Sequence, residues 1–296
     1  MTFLAIIAAL ALERALHAAD LEHFRRMQWF SAFRDQLLQP LASVPGGNGP
    51  LGVAAVCLLP TVMIWLAVWL LAQFSVVLAF ALSVFVLLYC LGPGEILGQL
   101  KRYLDAHDPS ADEGGDASRL AAEIMESEQG LSPEDDSHRA VTEAALVRAN
   151  DRLFAVIFWF VLLGPAGAVL YRSADLLRRG ITVPGEEART GLAQHAVMFE
   201  GILAWLPARL LAISYALTGS FEEAMADWKA YYEECTEPFF ETSEGVLSCA
   251  GCGALRISAG TTESGLAVVR SARGLLMRSL VLWLAVLAML TLAGLT

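Results

Sequence analysis

A chain of 296 residues in which 56% are AVILMFWYC and only 17% are charged falls short of the roughly 25% charge typical of a soluble globular domain. Its mean hydropathy of +0.54 points to the membrane class, with the lipid bilayer as the first partner. A net charge of −11 argues against nucleic acid as another.

In chain order, residues 1–12 are apolar and run straight into Glu13-Arg14. Without a basic leader or a cleavage site they read as a retained, partly embedded helix. Residues 14–34 follow as a basic, aromatic amphipathic segment. Phe24, Trp29, Phe30 and Phe33 form its apolar side, and Arg25, Arg26 and Arg34 point to head groups. From Gln36 to Gly94 there is no charged residue. A span needs about 20 apolar residues, so 51–71 and 74–91 form two, with a turn near Gln73-Phe74-Ser75. The stretch from Lys101 to Glu143 is heavily acidic and predicts a solvated linker with a helix around Ala117–Gln129. Three further apolar stretches follow at 153–171, 192–217 and 279–296. Inside a bilayer an unpaired backbone group is costly, so these form helices.

The fold class is therefore an all-α polytopic integral membrane protein with kinked helices and a cytoplasmic acidic loop. The expected parts are 1–50, an N-terminal helix with the amphipathic segment; 51–92, a transmembrane hairpin; 93–149, the acidic loop; 150–260, a helical core; and 261–296, a C-terminal span. Segments 1–12, 153–171 and 192–217 stay open between spanning and re-entrant. On this layout 14–50, 92–152 and 218–278 share one side and hold fifteen of the 20 Lys and Arg, which makes that side cytoplasmic. Arg172, Arg178, Arg179 and Arg189 fall opposite, against the trend.

Of five cysteines, Cys57 and Cys90 lie in spans and pack as small apolar groups. The C-x-x-C of "SCAGCG" (Cys249, Cys252) has only Cys235 as a further thiol and no nearby His, short of four zinc ligands. It reads as small residues in a tight helix or loop, with no metal site. The acidic run 134–143 reads as solvated. His residues are scattered, and no P-loop, His-Glu-x-x-His or Gly-x-Ser-x-Gly occurs.

One stretch interrupts its own apolar run: "FWFVLLGPAGAVLYR", residues 158–172. Gly164, Pro165 and Gly167 predict a bend and a close backbone approach, and Pro207 predicts the same in the next helix. "NDRLFAVIFWFVLLGPAGAVLYRSADLL", "WLPARLLAISYALTG" and "GSFEEAMADW" together resemble the AmpE family of bacterial inner-membrane proteins. That family is in turn distantly similar to CbiB/CobD, the adenosylcobinamide-phosphate synthases. The resemblance is carried by the Asn/Asp before the aromatic stretch, Gly-Pro-x-Gly-Ala-x-x-Tyr-Arg and Leu-Pro-Ala-Arg-Leu, over roughly residues 135–260. It departs from the synthases where they carry Gly-Asp-Pro, His-Pro and an Arg-Asp pair. Asp151-Arg152 stands in place of their Asp-Gly, and Tyr171-Arg172-Ser173-Ala174-Asp175 in place of their Tyr-Arg-x-x-Asn.

The candidate site lies between the two proline-bent helices. Glu143, Asn150 and Asp151 stand at the entrance, Arg172 and Asp175 follow the break, and Glu200 and Arg209 lie inside the next apolar run. Intramembrane ions are costly and are usually paired or functional, so Arg209 is expected to pair with Glu200 or Asp151 or to hold an anion. No residue is assigned a catalytic role. The resemblance implies a multi-pass protein of the bacterial inner membrane, with a signalling or accessory role in peptidoglycan recycling and β-lactamase induction. It would act through a small-molecule ligand or a membrane protein partner. The alternative is a membrane amide synthase or ligase using a nucleotide and a divalent cation. The sequence leans against an enzyme, and names neither cofactor nor oligomeric state.

Overall fold

The computed structural model describes residues 2–17, 28–41, 47, 49–91, 96–107, 117–125, 138–181, 190–236, 238–257 and 265–294. Among these the chain is helical, with no strand. The protein is an all-α membrane protein, with three helices among the described residues long and apolar enough to cross a bilayer. The chain divides into two compact units.

The first unit comprises Met1–Pro93, Ala155–Ala204 and Leu290–Thr296. It contains α1 (Thr2–His17), α2 (Gln28–Leu41), α3 (Pro50–Phe74), α4 (Val76–Cys90), α8 (Ala155–Leu163) and α9 (Pro165–Ile181). α3 and α4 form a hairpin that turns at Ser75, whose backbone is extended and whose N–H bonds the Leu71 carbonyl at 2.8 Å. The turn falls where the sequence placed it. α3 buries Val53, Val56 and Cys57, while Leu58, Val62, Trp65, Trp69 and Phe74 are exposed. Exposed side chains of this size on a spanning helix form a lipid-facing surface. α9 packs along α3 and α4, and α1 packs along α4.

The break in the apolar run differs from the expected bend. α8 ends at Leu163, Gly164 takes φ +67°, and α9 doubles back along α8. A left-handed φ is cheap only for glycine. Pro165 opens α9 at a position whose N–H would be unbonded in any case. A Cβ on Gly167 would lie 2.2 Å from the Trp159 carbonyl oxygen, so the returning helix seats directly on the backbone of the outgoing one. Segment 153–171 is therefore a helical hairpin and not one kinked span. Pro207 lies within a helix, α10 (Thr190–Thr218), that continues on both sides of it. The carbonyl that the ring leaves without its usual N–H is that of Leu203, and it accepts from Trp159 Nε1 at 3.0 Å. The expected gap lined by freed carbonyls is closed here by an indole.

Two further expectations change in this unit. Arg34 does not reach for head groups. It is buried, donates to the Gly180 carbonyl at 2.7 Å and pairs with Asp35 at 3.0 Å. That bond sets the C-terminal end of α9 beside α2, where the expected layout had put the two on opposite sides. Phe24, Arg25 and Arg26 lie outside the described residues.

The second unit comprises Gly94–Phe154 and Trp205–Met289. It contains α5 (Ile96–Ala106), α6 (Ala117–Met125), α7 (His138–Ala149), a π-helical turn (Asn150–Phe154), α11 (Phe221–Glu234) and α12 (Ser243–Ala254), with most of α13 (Gly265–Leu292). The acidic linker's helix, α6, ends at Met125; 126–137, and with them most of the acidic run 134–143, lie outside the described residues. α5 and α6 pack on α7. Buried Arg148 donates to the Glu123 and Ile124 carbonyls in the last turn of α6, capping it with a cation. α12 packs on α7 and α11 and buries Ala250, Gly251, Cys252, Gly253 and Ala254, so "SCAGCG" is small-residue packing. Between spans, Thr218 Oγ1 meets Ser279 Oγ at 3.1 Å and Trp283 Nε1 donates to Ser214 Oγ at 2.9 Å, the hydroxyl contacts by which apolar helices associate.

Candidate functional site

The expected site residues separate into clusters, each within its own unit. In the first unit, α9 turns Arg172, Asp175, Arg178 and Arg179 toward protein. Asp175 is fully buried and is held from both sides by Arg172 at 2.6 Å and Arg179 at 2.5 Å. The i,i+3 and i,i+4 spacings put all three on one helix face. Glu200, from α10, is also buried. It accepts from Tyr171 Oη at 3.4 Å and pairs with Arg178 at 3.4 Å. The structure thus gathers Arg172 with Asp175, and Glu200 with α9. The Nε–H of Arg172 is buried without a hydrogen-bond partner.

In the second unit, Asn150 and Asp151 lie on the π turn, where the backbone ladder is locally widened. Such turns are frequent at functional sites. Asn150 Nδ2 donates to Asp151 Oδ1 at 3.4 Å, while Asn150 Oδ1 and the neighbouring helix's Thr142 Oγ1 are buried without a partner. One turn earlier, the Leu146 carbonyl accepts from Tyr215 Oη at 2.8 Å. Glu143 accepts from Arg139 Nε at 2.7 Å and from the Cys252 thiol at 3.8 Å. That contact raises the Arg139 pKa above its ordinary value, chiefly through the hydrogen bond.

Arg209 has partners that the sequence did not reveal. It donates to Tyr232 Oη and Ser243 Oγ, each at 2.9 Å, and to Thr242 Oγ1. Its guanidinium carbon also lies 4.8 Å from the Trp205 ring centroid. The expected ion pair with Glu200 or Asp151 is replaced by hydroxyls and an aromatic face, while Arg209 Nε is buried without a hydrogen-bond partner.

Among the described residues the fold also forms cavities that the sequence did not reveal, two of them lined by expected site residues. One, of about 680 Å³ in the second unit, is lined by Glu143, Asp227, Cys235, Cys249, Cys252 and Arg256, among others. Its thiols come from helix positions i and i+3 plus a distant Cys. Spacing showed the first pair, and only folding brings the third. Burial first, then the Glu143 carboxylate, pushes the Cys252 thiol well up; burial and Asp227 raise Cys249. Among the described residues no three His, Cys, Asp or Glu side chains are arranged to hold a metal ion. The other cavity, of about 410 Å³ in the first unit, lies among α2, α3, α4 and α9.

The chain is 31% identical over 263 residues to a cobalamin biosynthesis protein CobD of Stutzerimonas stutzeri, covering 87% of this chain and 82% of that one. It is 37% identical over 123 residues to the CobD of Chromobacterium violaceum, covering 41% of this chain and 38% of the relative. No solved structure matches. The family described as regulatory signalling modulator protein AmpE matches residues 1–294, and with essentially the whole sequence inside that match, the chain belongs to the AmpE family.

Proposed function

We propose that this protein is a multi-pass inner-membrane accessory of bacterial signalling, tied to peptidoglycan recycling and β-lactamase induction, and that it acts by binding a ligand or a membrane partner. The match to a family described as a regulatory signalling modulator over residues 1–294 carries the reading. The charge pattern supports it: Asp175, Glu200 and Glu143 are each engaged by arginines, an arrangement suited to holding a shape and less suited to moving protons. The test is deletion of the gene in its host, followed by measurement of β-lactamase activity across a titration of a cell-wall-active drug. A shifted induction curve, restored by the gene in trans, is expected. An unchanged curve overturns the reading.

The likeness to CobD over 82% of that protein's length favours a second reading: a nucleotide- and cation-dependent amide synthase. Here Glu143, Asn150, Asp151 and Arg172 would serve the ligand. Purified protein would then gain thermal stability from nucleotide with Mg²⁺, and Asp151→Ala would lose that gain. No stabilisation by any nucleotide removes it.

A further inference from the structure

The larger cavity, in the second unit, is walled by α11, α12 and α7 and carries both signs of charge. Glu223, Asp227 and Glu234 stand at i, i+4 and i+11 on one face of α11. All three line the cavity, and among the described residues none of their carboxylates makes a hydrogen bond or an ion pair. In the same wall Arg139 and Glu143 neutralise each other at 2.7 Å. Arg256 is the remaining cation of the described lining, and it too makes no ion pair among the described residues. Three carboxylates and one guanidinium are therefore left unmatched around one hollow.

Both signs are held in place. A Cβ on Gly253 would lie 2.9 Å from Asp227 Oδ2, so that carboxylate rests on the backbone of α12. Its charge also reaches Cys249 in the same wall, whose thiol is raised by burial first and then by Asp227. Arg256 takes φ +58° as it closes α12. Its N–H bonds the Gly253 carbonyl at 2.9 Å, and that of Ile257 bonds the Cys252 carbonyl at 3.0 Å. Glycine is the usual residue at such a helix end, because a left-handed backbone costs it little. Here the position carries a guanidinium, and it lines the cavity.

Charge and size identify the occupant. Like charges one turn apart on a helix repel, and a ligand with two cationic groups would relieve that repulsion while its own carboxylate met Arg256. Glu223 and Asp227 are separated by about 6 Å along the axis, a span that two ammonium groups on one short aliphatic chain can match. The volume of about 680 Å³ lies within the roughly 300–1,000 Å³ of small-ligand sites.

We infer that this cavity binds a free basic α-amino acid of the lysine and ornithine class, its two ammonium groups on the α11 carboxylates and its carboxylate on Arg256. The site does not require the signalling role, and an unchanged induction curve would leave it standing.

The test is calorimetric titration of the full chain, in detergent at low salt. Wild-type protein is expected to bind L-lysine. It should bind cadaverine (no carboxylate) and L-norleucine (no side-chain ammonium) about tenfold more weakly, the scale of one lost charge-assisted contact. Asp227→Asn should weaken lysine and cadaverine alike. Arg256→Gly, which suits the left-handed backbone, should weaken lysine about tenfold and leave cadaverine unchanged. Ala230→Trp, at an exposed lining position of α11, should block both ligands by filling the cavity. Wild type that binds neither lysine nor ornithine overturns the inference. Equal affinity for lysine and cadaverine also overturns it, and would make the site one for polyamines. So does undiminished lysine binding by Ala230→Trp protein that still unfolds cooperatively, which would place the ligand elsewhere.

Discussion

Arg209 shows how a charge is carried inside an apolar helix. The sequence marks it, because an arginine in a run such as "WLPARLLAISYALTG" stands out against the cost of burying a cation. What the sequence conceals is the partner set. Tyr232, Thr242 and Ser243 lie beyond the helix and form no motif with it; only the packing of α11 and α12 brings three hydroxyl oxygens around one guanidinium. An ion suggests a counter-ion, and the expectation of Glu200 or Asp151 failed for that reason. The consequence is measurable. Hydrogen bonds to a charged group contribute about 1.5–3 kcal/mol each, less where the hydroxyls find other partners. Arg209→Ala should therefore destabilise the protein by about 3 kcal/mol, read as a lowered midpoint of tryptophan-monitored unfolding in detergent. Tyr232→Phe should remove a smaller part. A midpoint within a degree of wild type for Arg209→Ala would mean that the three hydroxyls do not hold this cation.

At the scale of elements, breaker residues mark where regular structure changes but not into what. Gly164-Pro165 was legible as an interruption, yet a bend and a reversal have the same local chemistry. The choice is made by the contact of Gly167 with the Trp159 backbone, which no spacing rule encodes. Pro207 was legible as a lost hydrogen bond, while its replacement from Trp159 required the hairpin to exist first. The two are thus energetically linked. Removing the indole donor by Trp159→Phe should cost about 1 kcal/mol, the scale of hydrogen bonds within membranes. In a Pro207→Ala background, residue 207 regains an N–H for the Leu203 carbonyl, and the same Trp159→Phe change should cost much less. A double-mutant cycle on unfolding midpoints, with Trp159→Leu as a shape control, gives the coupling directly. Additive costs would show that the indole and the proline ring act independently.

For the molecule as a whole, composition and the runs of uncharged residues were enough to establish an all-α membrane protein, because hydrophobic length is a direct physical requirement of the bilayer. Sidedness was harder to read. Counting every apolar stretch as one crossing put Arg172, Arg178, Arg179 and Arg189 against the positive-inside trend. Within the first unit the hairpin resolves this conflict. A path that enters through α8 and returns through α9 does not change sides. The Arg34–Gly180 bond fixes the returning end beside α2, and a Cβ on Gly52, at the start of α3, would lie 3.1 Å from Leu192 at the start of α10. At the opposite end Pro165 shares a small cavity with Val76, next to the α3–α4 turn, and with Thr2. The two hairpin tips therefore point one way, and the arginines of α9 point the other, with Arg34. Positive residues are retained on the cytoplasmic side during insertion. In bacterial cells, a single cysteine introduced at Gly191, exposed at the start of α10, in a cysteine-free background should thus resist membrane-impermeant maleimide until the membrane is opened, and one at Ser75 should react in intact cells. Labelling of position 191 from outside would restore the one-way crossing of 153–171 and with it the original division of charge.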